Sequence, residues 1–170
     1  AAAATATAAA ARAAAAQARA ARGARAARAA RPRPPARVEL SVDGREVPEV
    51  LGDIDRLEQV LANLVDNALR YTPPGERVVL SARLESDATV SLGVSDTGPG
   101  ISEEAIPHLF NRFYKGGRQG GTGLGLAISR ELVRAQRGEI QVESELGKGT
   151  TFRIYLRTDR RRGGQRRSLT

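Results

Sequence analysis

The chain has 170 residues, a length suited to one domain, with 27 Lys and Arg against 19 Asp and Glu for a net charge of +8. It holds no cysteine and one histidine, His108, which excludes a disulfide framework, a Cys-ligated metal and a multi-His metal site within one chain. The charge is uneven: residues 1–36 carry seven Arg and no acid, residues 157–170 carry six Arg and one Asp, and the segment 37–156 keeps a net −4.

The first 36 residues are low-complexity, with 22 Ala and no Val, Ile, Leu or aromatic residue before Val38. Alanine favours helix, but a helix without a large apolar stripe has little to bury. Four readings fit: a disordered basic arm, a targeting peptide, a nucleic-acid-binding tail, or a helical segment in which alanine stands for unassigned side chains. A transit peptide would also carry serine, and this stretch has none. No run approaches the roughly 20 apolar residues of a membrane span, because Arg interrupts the alanines. Arg31-Pro32-Arg33-Pro34-Pro35 ends whatever precedes it, since proline blocks helix continuation.

From Val38 the pattern becomes that of an ordinary globular segment. Val38, Leu40 and Val42 alternate with polar residues, as in a half-buried strand. Asp43-Gly44 follows as a turn, and Val47 to Leu51 supplies a short returning strand. Asp53 sits where a helix N-cap belongs. Ile54, Leu57, Val60, Leu61, Leu64, Val65, Ala68 and Leu69 fall at helical spacing, which predicts a helix over about 55–71 closed by Thr72-Pro73-Pro74-Gly75. Arg77 to Leu84 and Thr89 to Ser95 alternate and read as an antiparallel hairpin. Asp96-Thr97-Gly98-Pro99-Gly100 is a loop by composition, and Ser102 with Glu103 and Glu104 looks like a short helix start. Residues 115–123 form a glycine-rich polar loop. Leu124 to Arg137 predicts a second long helix with Gly138 as its stop. Glu139 to Glu143 and Thr150 to Leu156 are strands joined by Gly147-Lys148-Gly149, and the basic tail after Arg157 is expected to be disordered. Hairpins with helices between them predict a two-layer α+β sandwich, its helices on one face of one sheet.

Four segments carry the chemistry. On the first long helix Asn63 and Asn67 are four residues apart and Arg70 lies three beyond, so all share one side. Amide oxygens and a guanidinium there suit a metal and phosphate, though alone they are more often solvated helix residues. In Asp96-Thr97-Gly98-Pro99-Gly100-Ile101 the glycines allow close approach of a ligand, and the carboxylate suits an exocyclic amine; a plain turn is the alternative. Leu109-Phe110-Asn111-Arg112-Phe113-Tyr114-Lys115 holds two of the three Phe. Its Phe fit a core equally well, while Lys115 and Arg118 bring charge where a triphosphate would want it. In Gly120-Gly121-Thr122-Gly123-Leu124-Gly125-Leu126 glycines open a helix, whose free N–H groups form an anion site. The spacing is neither a Walker loop nor a dinucleotide fingerprint. Leu124 and Leu126 are expected to anchor the loop into the core.

In this order and spacing the four segments resemble the N box, first glycine box, F box and second glycine box of the catalytic and ATP-binding domain of sensor histidine kinases. The resemblance covers about residues 38–156, including Gly147-Lys148-Gly149-Thr150-Thr151-Phe152. It implies the two-layer sandwich of Bergerat type with a mixed sheet, ATP with Mg²⁺, and a lid between the F and second glycine boxes. By resemblance Asn67 would coordinate Mg²⁺, Asn63 would lie near the phosphates and metal waters, and Arg70 would contact phosphate. Tyr71 would pack along the adenine. Asp96 would accept the adenine amine in a pocket shaped by Gly98, Gly100 and Ile101. Lys115 and Arg118 would reach the phosphates from the lid, and Gly121, Thr122, Gly123, Leu124, Gly125 and Leu126 would wrap them. Thr150 or Thr151 would serve the adenine edge.

The resemblance also implies partners: a helical dimerisation domain bearing the phospho-acceptor histidine, in a homodimeric parent, and a response regulator. The acceptor motif is not present in this sequence, and His108 lacks its context, so the chain is expected to be a fragment. Residues 1–36 would be either a segment of unassigned side chains or the remnant of the dimerisation region. The domain would lie on the cytoplasmic side, with any membrane span elsewhere in the parent. The gyrase-type and chaperone ATPases of the wider superfamily place a water-activating Glu where this chain has Asn63, and anti-sigma serine kinases usually lack a clear F box. A non-catalytic nucleotide-binding module is a further alternative. Nucleic acid is not expected as a partner, since no aromatics interleave the basic ends.

Overall fold

The computed structural model describes residues 37–42, 50–115 and 122–158. The expectations for residues 1–36, the Asp43-Gly44 turn and the tail after 158 lie outside the described residues. So does most of the returning strand from Val47; within it, Val50 forms an isolated antiparallel bridge with Thr158.

The first helix, α1 (Ile54–Tyr71), begins where the Asp53 carboxylate accepts the backbone N–H of Asp55 at 3.0 Å and of Arg56 at 3.3 Å. Those bonds satisfy donors that the first helical turn leaves unpaired. Its stripe of Leu57, Val60, Leu61, Leu64, Val65 and Ala68 is buried. Burying each large apolar side chain contributes about 1.5–3 kcal/mol, so the stripe fixes which side of α1 faces inward. The helix stops at Thr72, whose hydroxyl donates to the Ala68 carbonyl at 2.7 Å, ahead of Pro73 and Pro74.

Five strands form one sheet: β1 (Arg37–Val42), β2 (Arg77–Ser86), β3 (Thr89–Asp96), β4 (Glu139–Glu145) and β5 (Gly149–Arg157), in the order β1-β2-β3-β5-β4. The sheet is mixed. β1 runs parallel to β2, while the β2–β3, β3–β5 and β4–β5 pairs are antiparallel. The parallel pair follows from α1 lying between those strands, because a crossover returns the chain in the same direction. Along β3 and β5, Val90, Leu92, Val94, Phe152, Ile154 and Leu156 alternate inward and are buried with the α1 stripe. The second helix, α2 (Gly125–Ala135), packs beside α1 and buries Ala127, Ser129 and Val133.

Two expectations change in detail. The short helix after Ser102 is a turn followed by a single 3₁₀ turn over Ile106–His108, with His108 exposed. Phe110 and Phe113 part ways: Phe110 meets the Phe152 ring edge-on at 6.4 Å, whereas Phe113 is 69% exposed with a φ of 65°. The architecture places the C-terminal half of α1, the C-terminal end of β3, the start of β5 and the N-terminus of α2 around one side of the molecule.

Candidate nucleotide site

Those four ends enclose a cavity of about 480 Å³, within the range of small-molecule sites. α1 contributes Asn63, Asp66, Asn67, Arg70 and Tyr71, the end of β3 contributes Asp96, and the loop after it contributes Gly100 and Ile101. Lys115, Thr122, Gly123, Gly125 and Leu126 come from the F segment and the glycine segment, and Thr150 from β5. The wall thus joins residues from all four sequence segments.

Asp96 ends the central strand opposite Thr150 of β5 and Val78 of β2. Burial pushes its carboxyl above the usual aspartate value, against the lowering effect of backbone hydrogen bonds from Gly98 and Thr150. The Gly98 N–H donates to Oδ1 at 2.9 Å. Gly98 does not line the cavity; its part is to hold the carboxylate from behind. The carboxylate is therefore a fixed, partly desolvated acceptor, suited to a specific donor on a ligand.

The loop from Asp96 to Ile101 is stapled on both flanks. On one, Thr97 donates to Glu76 at 2.6 Å and accepts from the Arg77 N–H at 3.3 Å. On the other, the Gly147 N–H donates to the Pro99 carbonyl at 2.9 Å and the Ile101 N–H donates to Ser144 Oγ at 2.8 Å. Gly100, at a φ of 71°, passes so close to the Glu145 carbonyl that a Cβ would collide with it. Ser144 donates its single proton to the Gly149 carbonyl at 2.9 Å. Its 2.9 Å contact with Thr150 Oγ1 is then donated by Thr150, leaving Thr150 an acceptor towards the cavity.

In the same wall, α2 starts without a side-chain cap, and its first turn holds no acid. This contrasts with α1, whose start Asp53 closes. The exposed N–H groups and positive dipole end of α2 reach the cavity at Gly125 and Leu126, which makes this end an anion receptor. Phe113 and Gly123 are tied directly to one another, the Phe113 N–H donating to the Gly123 carbonyl at 2.9 Å. Gly123 has a φ of 72°, and a Cβ there would lie 2.7 Å from the Phe113 backbone. Arg70 and Lys115 stand exposed at the rim.

The remaining expected residues fall elsewhere. Thr151 alternates to the opposite face of the sheet, where it donates to Ser95 Oγ at 2.9 Å. Leu124 occupies the N-cap position of α2 without a side-chain hydrogen bond and does not join the core, whereas Leu126 both packs against the core and lines the cavity. Arg118 and Gly121 lie outside the described residues. The sequence reading did not anticipate Asp66, Ser102, Ala105, Leu109, Tyr114 or Leu146 in the wall. Only Leu146 left a signal: a leucine at the tip of a glycine turn, 63% exposed, has no structural reason to be apolar.

The donor set bears on which metal fits. Among the described residues no group of three or more His, Cys, Asp or Glu is poised to hold an ion. The cavity offers instead the amides of Asn63 and Asn67 beside an anion receptor. That set fits Mg²⁺, which keeps several waters and is held largely through phosphate oxygens.

The profile of the family described as histidine kinase-, DNA gyrase B-, and HSP90-like ATPase matches residues 52–160. The sensor protein SrrB of Staphylococcus aureus is 47% identical over 110 residues, covering 61% of this chain and 18% of that protein. The chain therefore spans less than a fifth of that curated relative. Among solved structures, the mycobacterial sensor histidine kinase MprB superposes with a TM-score of 0.65 at 30% identity, over 71% of this chain and 82% of that one. Full-length ShkA in complex with AMPPNP superposes with a TM-score of 0.77 at 28% identity, over 93% of this chain and 31% of that one.

Proposed function

The chain belongs to the family of histidine kinase-, DNA gyrase B-, and HSP90-like ATPases and holds the catalytic domain of a sensor histidine kinase, and from that premise we propose that its cavity binds Mg²⁺-ATP and presents the γ-phosphoryl group to a histidine on a separate helical dimerisation domain, for relay to a response regulator. The observation that carries this is the meeting of two complementary features in one cavity. A fixed carboxylate, Asp96, and an uncapped helix start line the same wall, with the cations Arg70 and Lys115 among its residues. A ligand spanning them needs an amine at one end and anionic groups at the other, as ATP has.

Under this reading Asp96 and Thr150 accept from the base, and Tyr71 and Ile101 flank it. Gly123, Gly125 and Leu126 line the phosphates, with Arg70 and Lys115 neutralising charge from the rim. Asn67 offers an amide oxygen to the metal, with Asn63 beside it. Bound ATP supplies the phosphoryl group and Mg²⁺ offsets its charge; the protein's part is positioning and electrostatics. Asn63 in place of a carboxylate leaves no general base there to activate water, which favours donation over hydrolysis.

The recipient is expected outside this domain. His108 is exposed on the 3₁₀ turn, does not line the cavity, and sits beside Tyr114 with ring centres 5.8 Å apart. Among the described residues no helix is long and apolar enough to cross a membrane. We place the domain on the cytoplasmic side, where ATP is available.

Incubation with labelled ATP and the dimerisation domain of a sensor kinase such as SrrB tests the proposal. Acid-labile phosphohistidine should form on the added domain and not on this chain. Label on this chain alone, lost in His108→Ala, would overturn the donor-only reading.

A further inference from the structure

Ser129 is a serine in the middle of α2 with no exposed surface (0%). A buried hydroxyl is costly unless it is paired, so its partner is informative. That partner is on the other helix: Asn63 Nδ2 donates to Ser129 Oγ at 3.3 Å. A serine inside a helix commonly returns its own proton to the carbonyl one turn earlier, which leaves its oxygen as an acceptor.

The consequence lies at the other branch of the asparagine. A side-chain amide has one donor branch and one acceptor branch, and rotation by half a turn exchanges them. With Nδ2 held at Ser129, Oδ1 is the branch left for the cavity that Asn63 lines. At 3.3 Å the bond is longer than the usual 2.9–3.0 Å for N–H···O. Its contribution is therefore to orientation more than to stability. Without it, no bond to α2 separates the two orientations of the Asn63 amide, and one of them would turn an N–H towards a cation.

We infer that Ser129 is a positioning residue for the metal end of the site, holding the Asn63 amide with its oxygen towards the cation and its waters. It also ties α1, which carries Asn67, to α2, whose N-terminus meets the anionic end of the ligand. This inference rests on the reading of the cavity as a Mg²⁺-ATP site. It assigns a dependence on metal to a hydroxyl that touches neither metal nor nucleotide.

The test is a double-mutant cycle in the full chain, with Ser129→Ala, Asn63→Ala and the double variant. ATP binding is followed by calorimetry at fixed nucleotide while Mg²⁺ is varied, and melting without nucleotide reports the fold separately. Alanine removes one oxygen and is the better helix former, so the helix should persist. Ser129→Ala should raise the Mg²⁺ concentration for half-maximal ATP binding by about five- to tenfold, the scale of one lost hydrogen bond. In the Asn63→Ala background it should have no further effect. An unchanged Mg²⁺ midpoint in Ser129→Ala, or an effect that adds in full to that of Asn63→Ala, would overturn the positioning role while leaving the reading of the cavity intact. Absence of ATP binding by the unmodified chain would instead remove the functional reading itself.

Discussion

Asp96→Asn should lower ATP affinity about a hundredfold and abolish selection of ATP over GTP, a loss of about 3 kcal/mol for a half-buried charged acceptor. The carboxylate cannot turn away, because the backbone N–H groups of Gly98 and Thr150 hold it. Asparagine is nearly the same shape but has only one acceptor branch. If that branch keeps the backbone donors, the amide N–H faces the adenine amine, donor against donor. If it turns to the amine, the backbone donors lose a partner. Either way one bond is lost, and in the first orientation a guanine carbonyl meets a donor where it formerly met a negative charge. Calorimetry with ATP and GTP on both proteins checks this; a variant that still prefers ATP as the unmodified chain does would remove Asp96 from base recognition.

The same carboxyl sets a pH dependence. Burial raises its folded-state pKa above the unfolded value. Between those two values the folded state binds more protons than the unfolded state, so stability without nucleotide falls as pH rises through this window and recovers as pH falls. ATP binding should move the opposite way, weakening on acidification through the raised pKa as the acceptor is protonated. Both dependences should disappear from Asp96→Asn.

Asn67→Ala should reduce phosphoryl transfer by at least about a hundredfold, the usual scale for removing one group that stabilises a charged transition state, and should abolish the Mg²⁺ dependence of ATP binding. The expectation follows from what the cavity lacks. Among the described residues no three-carboxylate or histidine cluster stands ready to replace an amide ligand. Asp66, one residue before Asn67, also lines the cavity but is exposed. Transfer to an added dimerisation domain and Mg²⁺-dependent calorimetry provide the measurements. A variant with an unchanged Mg²⁺ requirement would move the ligand role from Asn67 to Asp66.

Legibility in the sequence followed the physics of each element. α1 was readable because its apolar spacing, its Asp53 cap and its Thr72-Pro73 stop all point the same way. The hairpin of β2 and β3 was readable from alternation, since one face is packed and the other open. The neighbour of β1 was not, because alternation reports which face is buried and says nothing of which strand pairs or in which direction. Asn63, Asn67, Arg70, Asp96 and the glycines of the cavity wall were visible by type and spacing, whereas Asp66 and Tyr114 were not. Ser102, Ala105 and Leu109 were not either, since small and apolar side chains enter a ligand wall only by where loops bring them. Thr150 and Thr151 could not be separated until β5 was set in register with β3. Ser129 read as an ordinary helix residue, because its partner Asn63 lies 66 positions away.

The central claim is that residues from four separate segments form one Mg²⁺-ATP site, and titration of the full chain with ATP in the presence of Mg²⁺ by calorimetry tests it most directly. The account predicts saturable binding to a single site per chain, competed by ADP. No detectable binding at millimolar ATP would contradict it.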